Sequence, residues 1–395
     1  MHTTIPFAVP SIGAAEESAV LRVLRSGWLT TGKETLSFEK EFKAVFEDPS
    51  LHAIAVSSAS AGLHIALKAC GVGPGDTVIV PSYTFTSTAA AAHFLGAQAV
   101  FVDCTPGTFH IDPVKVEETV DRLLQGYCAY GWRGGFGPKG KPKVLIPVHY
   151  GGVCCDMPAL IAIAQQYGLK IIEDSAHAFP ARVSPGIWAG TYGDIGVFSF
   201  YATKTITTGE GGIILCRDGH LAESMSRIRS HGIDRAVWNR YTDVQASWYY
   251  EVVEAGYKYN LPDILAALGR VQLSRAFELL EKRRAIAARY TEAFRAHPLV
   301  TIPRDSVENA WHLYPLYVHS HRDVWISLLK SKGIGVSVHF IPLHTMPYYK
   351  TFCAFLDSDF PHAYENFTHE LSLPLWPDMS EEQVSQVIAA VNELT

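Results

Sequence analysis

The chain has 395 residues, 48% of them hydrophobic and 18% charged, with a formal net charge of −6, which is enough chain to bury the cores of two or three domains. Its 33 lysines and arginines are outnumbered by 39 acidic residues and form no run, so a nucleic-acid partner is not expected and an anionic ligand must be met by a local pocket. No apolar run reaches the ~18 residues of a membrane span, Met1 to Pro6 lacks the flank and core of a signal peptide, and the seven cysteines, without CxxC spacing, read as thiols of a reducing cytoplasm.

Glu16 to Ser26 carries Ala19, Val20, Val23 and Leu24 at helical spacing. After the turn-like loop Gly27-Trp28-Leu29-Thr30-Thr31-Gly32-Lys33, Leu36 to Phe46 is a second amphipathic helix. Ala53 to Val56 is a buried strand that runs into Ser57-Ser58-Ala59-Ser60-Ala61-Gly62, followed by a helix with Leu63, Ala66, Leu67 and Cys70 on one face. Small residues at such a turn either serve close packing or let backbone amides approach an anion at the positive end of the helix. Further strands at Val78 to Val80, Val100 to Asp103 and Val144 to Tyr150, with a helix at Met157 to Tyr167, predict an α/β fold with a mainly parallel sheet and helices on both faces. The Gly- and aromatic-rich stretch from Gly126 to Pro138 interrupts the alternation as a surface excursion, either a partner-binding or a substrate flap.

The stretch from Ile171 to Leu215 organises the rest. Lys170-Ile171-Ile172 is strand-like and ends on Glu173-Asp174-Ser175, which puts carboxylates at the strand end that faces the ligand crevice of an open α/β sheet. A second run, Ile195 to Phe200, delivers Lys204 into a loop, and Gly209-Glu210-Gly211-Gly212 leads to a third, Ile213 to Leu215. Val183 to Ala189 is a Pro-Gly-Trp excursion between them that could wall a pocket. Taken singly, Lys204 reads as a solvated loop lysine and Asp174 as a strand-end cap. Together they match what pyridoxal phosphate needs: an amine to condense with the aldehyde and an acid to keep the pyridine nitrogen protonated. Further on, Asp263 to about Ala296 reads as one long bridging helix. It precedes a strand at Leu313 to Val318, a helix at Val324 to Lys330 and a strand-like Val336 to Phe340.

Asp174-Ser175-Ala176-His177-Ala178, Gly193-Asp194, Phe198-Ser199-Phe200, Lys204 and Gly209-Glu210-Gly211-Gly212, in this order and spacing, resemble the signature of the DegT-type sugar aminotransferases from about Pro6 to the C-terminus. The resemblance implies the aspartate-aminotransferase-like fold (fold type I): a three-layer α/β/α large domain over residues 1–255 with an N-terminal arm, and a bridging helix with a small α+β domain over 256–395. It implies pyridoxal 5′-phosphate as cofactor, and an amino group moved from glutamate to a keto group of a nucleotide-linked sugar in polysaccharide or lipopolysaccharide biosynthesis. The family pattern makes Lys204, Asp174 and His177 catalytic, with Ser60, Ala61 and Ser199 at the cofactor phosphate and Phe85 stacked on the ring. Lys258 stands where most relatives carry the Asn that reaches the phosphate of the adjacent subunit, which implies a homodimer, and Asn260 replaces their Arg. Thr30, Thr31, Arg229, His339 and His344 match positions beside the substrate. Gly256-Tyr257-Lys258-Tyr259-Asn260, Pro147 to Tyr150 and Trp311-His312-Leu313 are most similar to the branch that makes UDP-4-amino-4-deoxy-L-arabinose, so a UDP-linked 4-keto sugar is expected, with dTDP sugars as competitors. Dehydratases of the same family carry His in place of the lysine, whereas this chain has Lys204. A cofactor-binding regulator without turnover is the alternative from another class.

Overall fold

The apolar runs read from the sequence become a seven-stranded sheet. In the computed structural model, which describes residues 4–127, 140–234, 249–304, 308–352 and 356–394, the strands are β1 (His52–Val56), β2 (Asp76–Pro81), β3 (Gln98–Val102), β4 (Lys141–Leu145), β5 (Lys170–Asp174), the small hairpin β6 (Arg182–Ser184) and β7 (Ile187–Trp188), β8 (Ile195–Ser199) and β9 (Gly212–Cys216). The sheet order is β1-β9-β8-β5-β4-β2-β3. Only β9 runs against its neighbours, pairing antiparallel with both β1 and β8, while β8-β5-β4-β2-β3 is parallel throughout. A parallel sheet aligns the C-terminal ends of its strands. Asp174 at the end of β5 therefore lies beside Val197 of β8, two residues short of that strand's end.

The central strands are buried on both faces, as parallel strands covered by helices must be. Val78, Val80, Ile172 and Val197 pack on one side with helix Ala59–Ala69. Ile79, Leu145 and Ile171 pack on the other with Leu160 and Ile163 of helix Met157–Tyr167. A second core gathers Tyr290 and Phe294 of helix Ala276–Phe294, Leu316 and Val318 of β11, Leu371 and Leu373 of β12, and Val387 and Val391 of helix Glu381–Asn392. It lies under a three-stranded antiparallel sheet of β10 (Val300–Thr301), β11 (Tyr314–Val318) and β12 (Glu370–Leu373).

Three expectations change. The long helix is two, Asp263–Ser274 and Ala276–Phe294. The break falls at Arg275, whose N–H bonds the Gln272 carbonyl three residues back (3.2 Å) and whose guanidinium is drawn to Glu16 (2.6 Å). Val336 to Phe340 forms a single bridge, Ser337 with Ser372, and no strand. The Val183–Ala189 excursion is the β6–β7 hairpin, and its Trp188 faces the phenylalanine core with Phe46 and Phe198. The Gly126–Pro138 insertion lies, from residue 128 on, outside the described residues. Among the described residues, no helix is long and apolar enough to cross a membrane.

Candidate active site

Asp174 leaves β5 with its carboxylate only 5% exposed. The Thr88 hydroxyl donates to its Oδ2 (2.9 Å) and the Ala176 N–H to its Oδ1 (3.2 Å). Burial pushes the Asp174 carboxyl above its ordinary value, against the pull of those two donors and of the Lys204 charge. Lys204, in the loop after β8, is pushed the other way: burial brings its amine down from 10.5 to about 8, and Asp174 is the charge that opposes this. A lysine lowered so far keeps a usable neutral fraction near neutral pH, which nucleophilic attack on a carbonyl requires.

Glu173, beside Asp174, holds the frame. Its fully buried carboxylate accepts from the N–H groups of Gly190 (2.8 Å), Tyr192 (2.7 Å) and Gly193 (2.6 Å) and lies 2.8 Å from His149 Nε2. One side chain thus fixes the turn that feeds β8, and with it the approach of Lys204. Close packing continues on the far side: a Cβ at Gly196 would meet the Gly190 carbonyl at 2.0 Å, so only glycine lets β8 pass this turn.

The wall facing Lys204 is made of imidazoles. His177 accepts the Gly151 N–H at Nδ1 (3.2 Å), lies 4.3 Å from the His312 ring and stacks at 5.6 Å on Phe340. His177 and His312 are held well below the ordinary histidine range, chiefly by burial. For His177 the Lys204 charge comes next and then His339; for His312 the order is His177, Lys204, Arg283 and His339. His339 is brought down to about 4 by burial and Lys204. All three rings are therefore neutral at neutral pH.

An anion cradle closes one edge. Ser58 caps helix Ala59–Ala69, its hydroxyl accepting the Ala61 N–H (3.1 Å). Ala61 is buried, while Ser60 is exposed at the first turn. Gly212 of β9 faces the turn so closely that a Cβ there would meet the Ala59 nitrogen at 2.7 Å. Ser199, at the end of β8 opposite Gly212, is half-buried. The segment after Gly256 runs along the same edge: the Ser57 N–H donates to the Tyr259 carbonyl (2.7 Å), Asn260 Nδ2 donates to Thr31 Oγ1, and Thr31 Oγ1 to the Leu261 carbonyl, both at 2.6 Å. Thr31, expected beside the substrate, and Asn260, which the sequence leaves without a role, are thus partners, with Thr30 exposed beside them and Lys258 exposed two residues before Asn260. Phe85 is 57% exposed, 6.0 Å from Phe340. This donor set fits pyridoxal phosphate: a helix N-terminus with small residues and serines for the phosphate, an amine for the aldehyde, and a buried carboxylate for the ring nitrogen.

Two expected substrate residues are drawn elsewhere. Arg229 is buried in an ion pair with Glu39 (2.5 Å) and donates to the Ala55 carbonyl (2.8 Å), which commits its guanidinium to the protein interior. His344 is fully buried, 2.6 Å from the Ser82 hydroxyl and stacked on Phe360, pinning the C-terminal segment to the end of β2. Thr88, Glu173 and His312 belong to the site and were not singled out for roles from the sequence. The Trp311-His312-Leu313 motif held a signal for His312, whereas nothing local marks Thr88. A separate cleft of about 930 Å³ opens beyond Tyr150 and Gly151, lined among others by His110, Arg304 and Glu365; neither Asp174 nor Lys204 borders it.

The model of the DegT/DnrJ/EryC1/StrS aminotransferase family matches residues 10–392. The spore coat polysaccharide biosynthesis protein SpsC of Bacillus subtilis (strain 168) is 42% identical over 398 residues, covering 99% of this chain and 97% of SpsC. Spr1654 of Streptococcus pneumoniae, described as a sugar aminotransferase and solved in apo, PMP and PLP forms, is 31% identical. In its apo form it superposes with a TM-score of 0.87 over 99% of this chain and 97% of its own. Helicobacter pylori PseC, an aminotransferase involved in the biosynthesis of pseudoaminic acid, is 25% identical, with a TM-score of 0.86 over 99% of each chain. The chain belongs to the DegT/DnrJ/EryC1/StrS family of sugar aminotransferases, which depend on pyridoxal phosphate, and has the type I fold of that cofactor's aminotransferases.

Proposed function

We propose that this sugar aminotransferase moves the amino group of glutamate to the keto carbon of a nucleotide-linked sugar, with a UDP-linked 4-keto sugar as the first candidate. The observation that carries the reading is the buried Asp174 carboxylate coupled to the lowered Lys204 amine at one edge of the sheet. When bound, pyridoxal phosphate supplies the aldehyde that exchanges amines and the ring that accepts electrons from the donor carbon. Lys204 moves the proton between donor carbon and cofactor carbon, a task its amine near pKa 8 suits. Asp174, secured by Thr88, holds the positive charge of the ring nitrogen. Ser60, Ser199 and the amide of Ala61 hold the phosphate, with Lys258 joining them from the second copy of a homodimer. His177, kept neutral and fixed by the Gly151 N–H, orients the ring oxygen. The presence of Lys204 speaks against the dehydratase reading. SpsC, a spore coat polysaccharide protein, supports a polysaccharide context for the product.

The test is glutamate-dependent amination of a panel of UDP- and dTDP-linked 4-keto and 3-keto sugars, read by mass spectrometry, with Lys204→Ala beside the wild type. One sugar aminated by the wild type and by no lysine variant is the expected result. Turnover by Lys204→Ala, or none by the wild type with any sugar and donor, overturns it.

A further inference from the structure

Behind His339 lies a carboxyl that the proposed reaction leaves unused. Glu370 opens β12 and is fully buried. Among the described residues no lysine or arginine bridges its carboxylate. Arg322 donates from Nη1 to the backbone carbonyl of Glu370 (2.9 Å), and its Nε lies 2.8 Å from Asp323 Oδ1 as an ion pair.

Glu370 is instead joined to His339. The His339 N–H donates to Oε2 (2.8 Å), the Ser372 hydroxyl lies 2.5 Å from Oε1, and the same hydroxyl lies 2.9 Å from His339 Nδ1. Carboxyl, hydroxyl and imidazole form one unbroken line. Both ends are fixed. Ser337 and Ser372 exchange backbone hydrogen bonds of 3.2 and 2.9 Å, and the hydroxyls of Tyr83 and Tyr150 both donate to the His339 carbonyl at 2.6 Å. Only the middle group, a hydroxyl, is free to turn, and a hydroxyl both donates and accepts.

We propose that Glu370, acting through Ser372, decides which nitrogen of His339 carries the ring proton, and so whether His339 offers the substrate pocket a donor or an acceptor. With Glu370 protonated, its O–H donates to Ser372 Oγ, the Ser372 O–H donates to Nδ1, and the proton sits on Nε2. With Glu370 ionised, the Ser372 O–H turns to Oε1, Nδ1–H donates to Oγ, and Nε2 presents a lone pair. The passage from the first state to the second balances. The Nε2 proton leaves to an acceptor, the Ser372 proton bonds Nδ1, the Glu370 proton bonds Oγ, and the net change is one proton from Glu370 to the acceptor. Serine and imidazole stay neutral throughout. In the reaction proposed above, on which this last role rests, the acceptor is the substrate's keto oxygen, which must gain protons to leave as water when the carbon takes nitrogen.

The surroundings suit such a relay. Burial pushes Glu370 up to about 8, with Ser372, the His339 N–H, Arg322 and Tyr150 working against it and Tyr83 also facing it. His339 faces Lys204, His177 and His312, and burial with the Lys204 charge brings it to about 4. The carboxyl therefore changes state at a pH where the imidazole does not take on charge.

Nitrogen-15 NMR of the apoprotein with labelled histidine, His339 being assigned from a His339→Gln spectrum, reads the tautomer without cofactor or turnover. The wild type should show Nε2 protonated at pH 6.5 and Nδ1 protonated at pH 9.5, with the crossover near pH 8. Glu370→Gln, whose amide donates at any pH, should hold the Nε2–H form throughout. Ser372→Ala, which keeps both ends of the line, should abolish the crossover. A wild-type tautomer constant from pH 6.5 to 9.5, or a crossover surviving in Ser372→Ala, overturns the inference. In the amination assay, Glu370→Gln and Ser372→Ala should each lower kcat at least tenfold with KM for the sugar unchanged; a kcat within twofold of wild type in both variants overturns the role in the reaction. If no sugar is aminated at all, the proposed reaction fails while the NMR result stands on its own.

Discussion

Lys204 should weaken the fold it serves, and the size of that penalty can be worked out. Its amine falls from 10.5 to about 8 in the folded chain, so protonated Lys204 is disfavoured there by about 3.4 kcal/mol at 1.36 kcal/mol per pKa unit. The attraction of Asp174 is already contained in that value. Because part of the side chain stays accessible, about 3 kcal/mol is an upper bound. The folded pKa lies below the unfolded one, so between pH 8 and 10.5 the unfolded chain binds more protons and stability rises with pH. The penalty is complete below pH 8 and nearly gone at pH 10, where about 0.8 kcal/mol is left by the same linkage relation. Lys204→Met replaces the amine with an uncharged chain of similar reach. An unfolding entropy of about 0.8 kcal/mol/K follows for 395 residues at ~2.1 cal/mol/K each. The apo variant should therefore melt up to about 4 °C above the apo wild type at pH 7 and about 1 °C above it at pH 10. Scanning calorimetry of the two apoproteins across that range is the assay. A variant that melts at or below the wild type at pH 7, or a gap that does not narrow with pH, would refute the reasoning.

Glu173→Ala should lower the melting temperature by at least about 5 °C, since it strips the N–H groups of Gly190, Tyr192 and Gly193, and His149, of their acceptor at ~1–3 kcal/mol per unpaired group. Pyridoxal phosphate occupancy, read by absorbance, should fall with it because the turn into β8 loosens; a melt within 1 °C of wild type would show that Glu173 does not hold the turn. Arg229→Met leaves Glu39 without its partner and should destabilise by ~3–5 kcal/mol, with KM for sugar and donor unchanged in steady-state assays. A tenfold rise in KM without loss of stability would return Arg229 to the substrate site.

The sequence is legible where the information is local. Ile171-Ile172 and Val197-Phe198 announce strands, and the residues that follow them, Asp174 and Lys204, announce a cofactor because each strand end delivers its side chain within a few positions. What crosses the chain is hidden. Thr88 reaches Asp174 from a helix 86 positions away, and Glu370 reaches His339 from 31 positions on. Propensity misleads for the same reason at two places. Arg275 ends a helix because Glu16, on the first helix, captures its guanidinium. The run Val336 to Phe340 has the composition of a strand, yet at His339 the N–H is taken by a carboxylate and the carbonyl by two tyrosines, so side chains satisfy what a ladder would otherwise pair.

Neutral imidazoles around Lys204 bear on Asp174 as well. A protonated His177 or His312 would stand as a second cation near the ammonium, raise the local potential and depress Lys204 further. By burying both rings the fold keeps them from adding cations beside the Lys204 ammonium. The Asp174 carboxyl is itself raised by burial, with Thr88, the Ala176 N–H and the Lys204 charge working against that rise. A cation beside Asp174 favours its carboxylate form, and the protonated pyridine nitrogen of a bound cofactor would be one. The burial that lowers the lysine thus also favours, beside Asp174, the cationic ring that the chemistry would use as its electron sink.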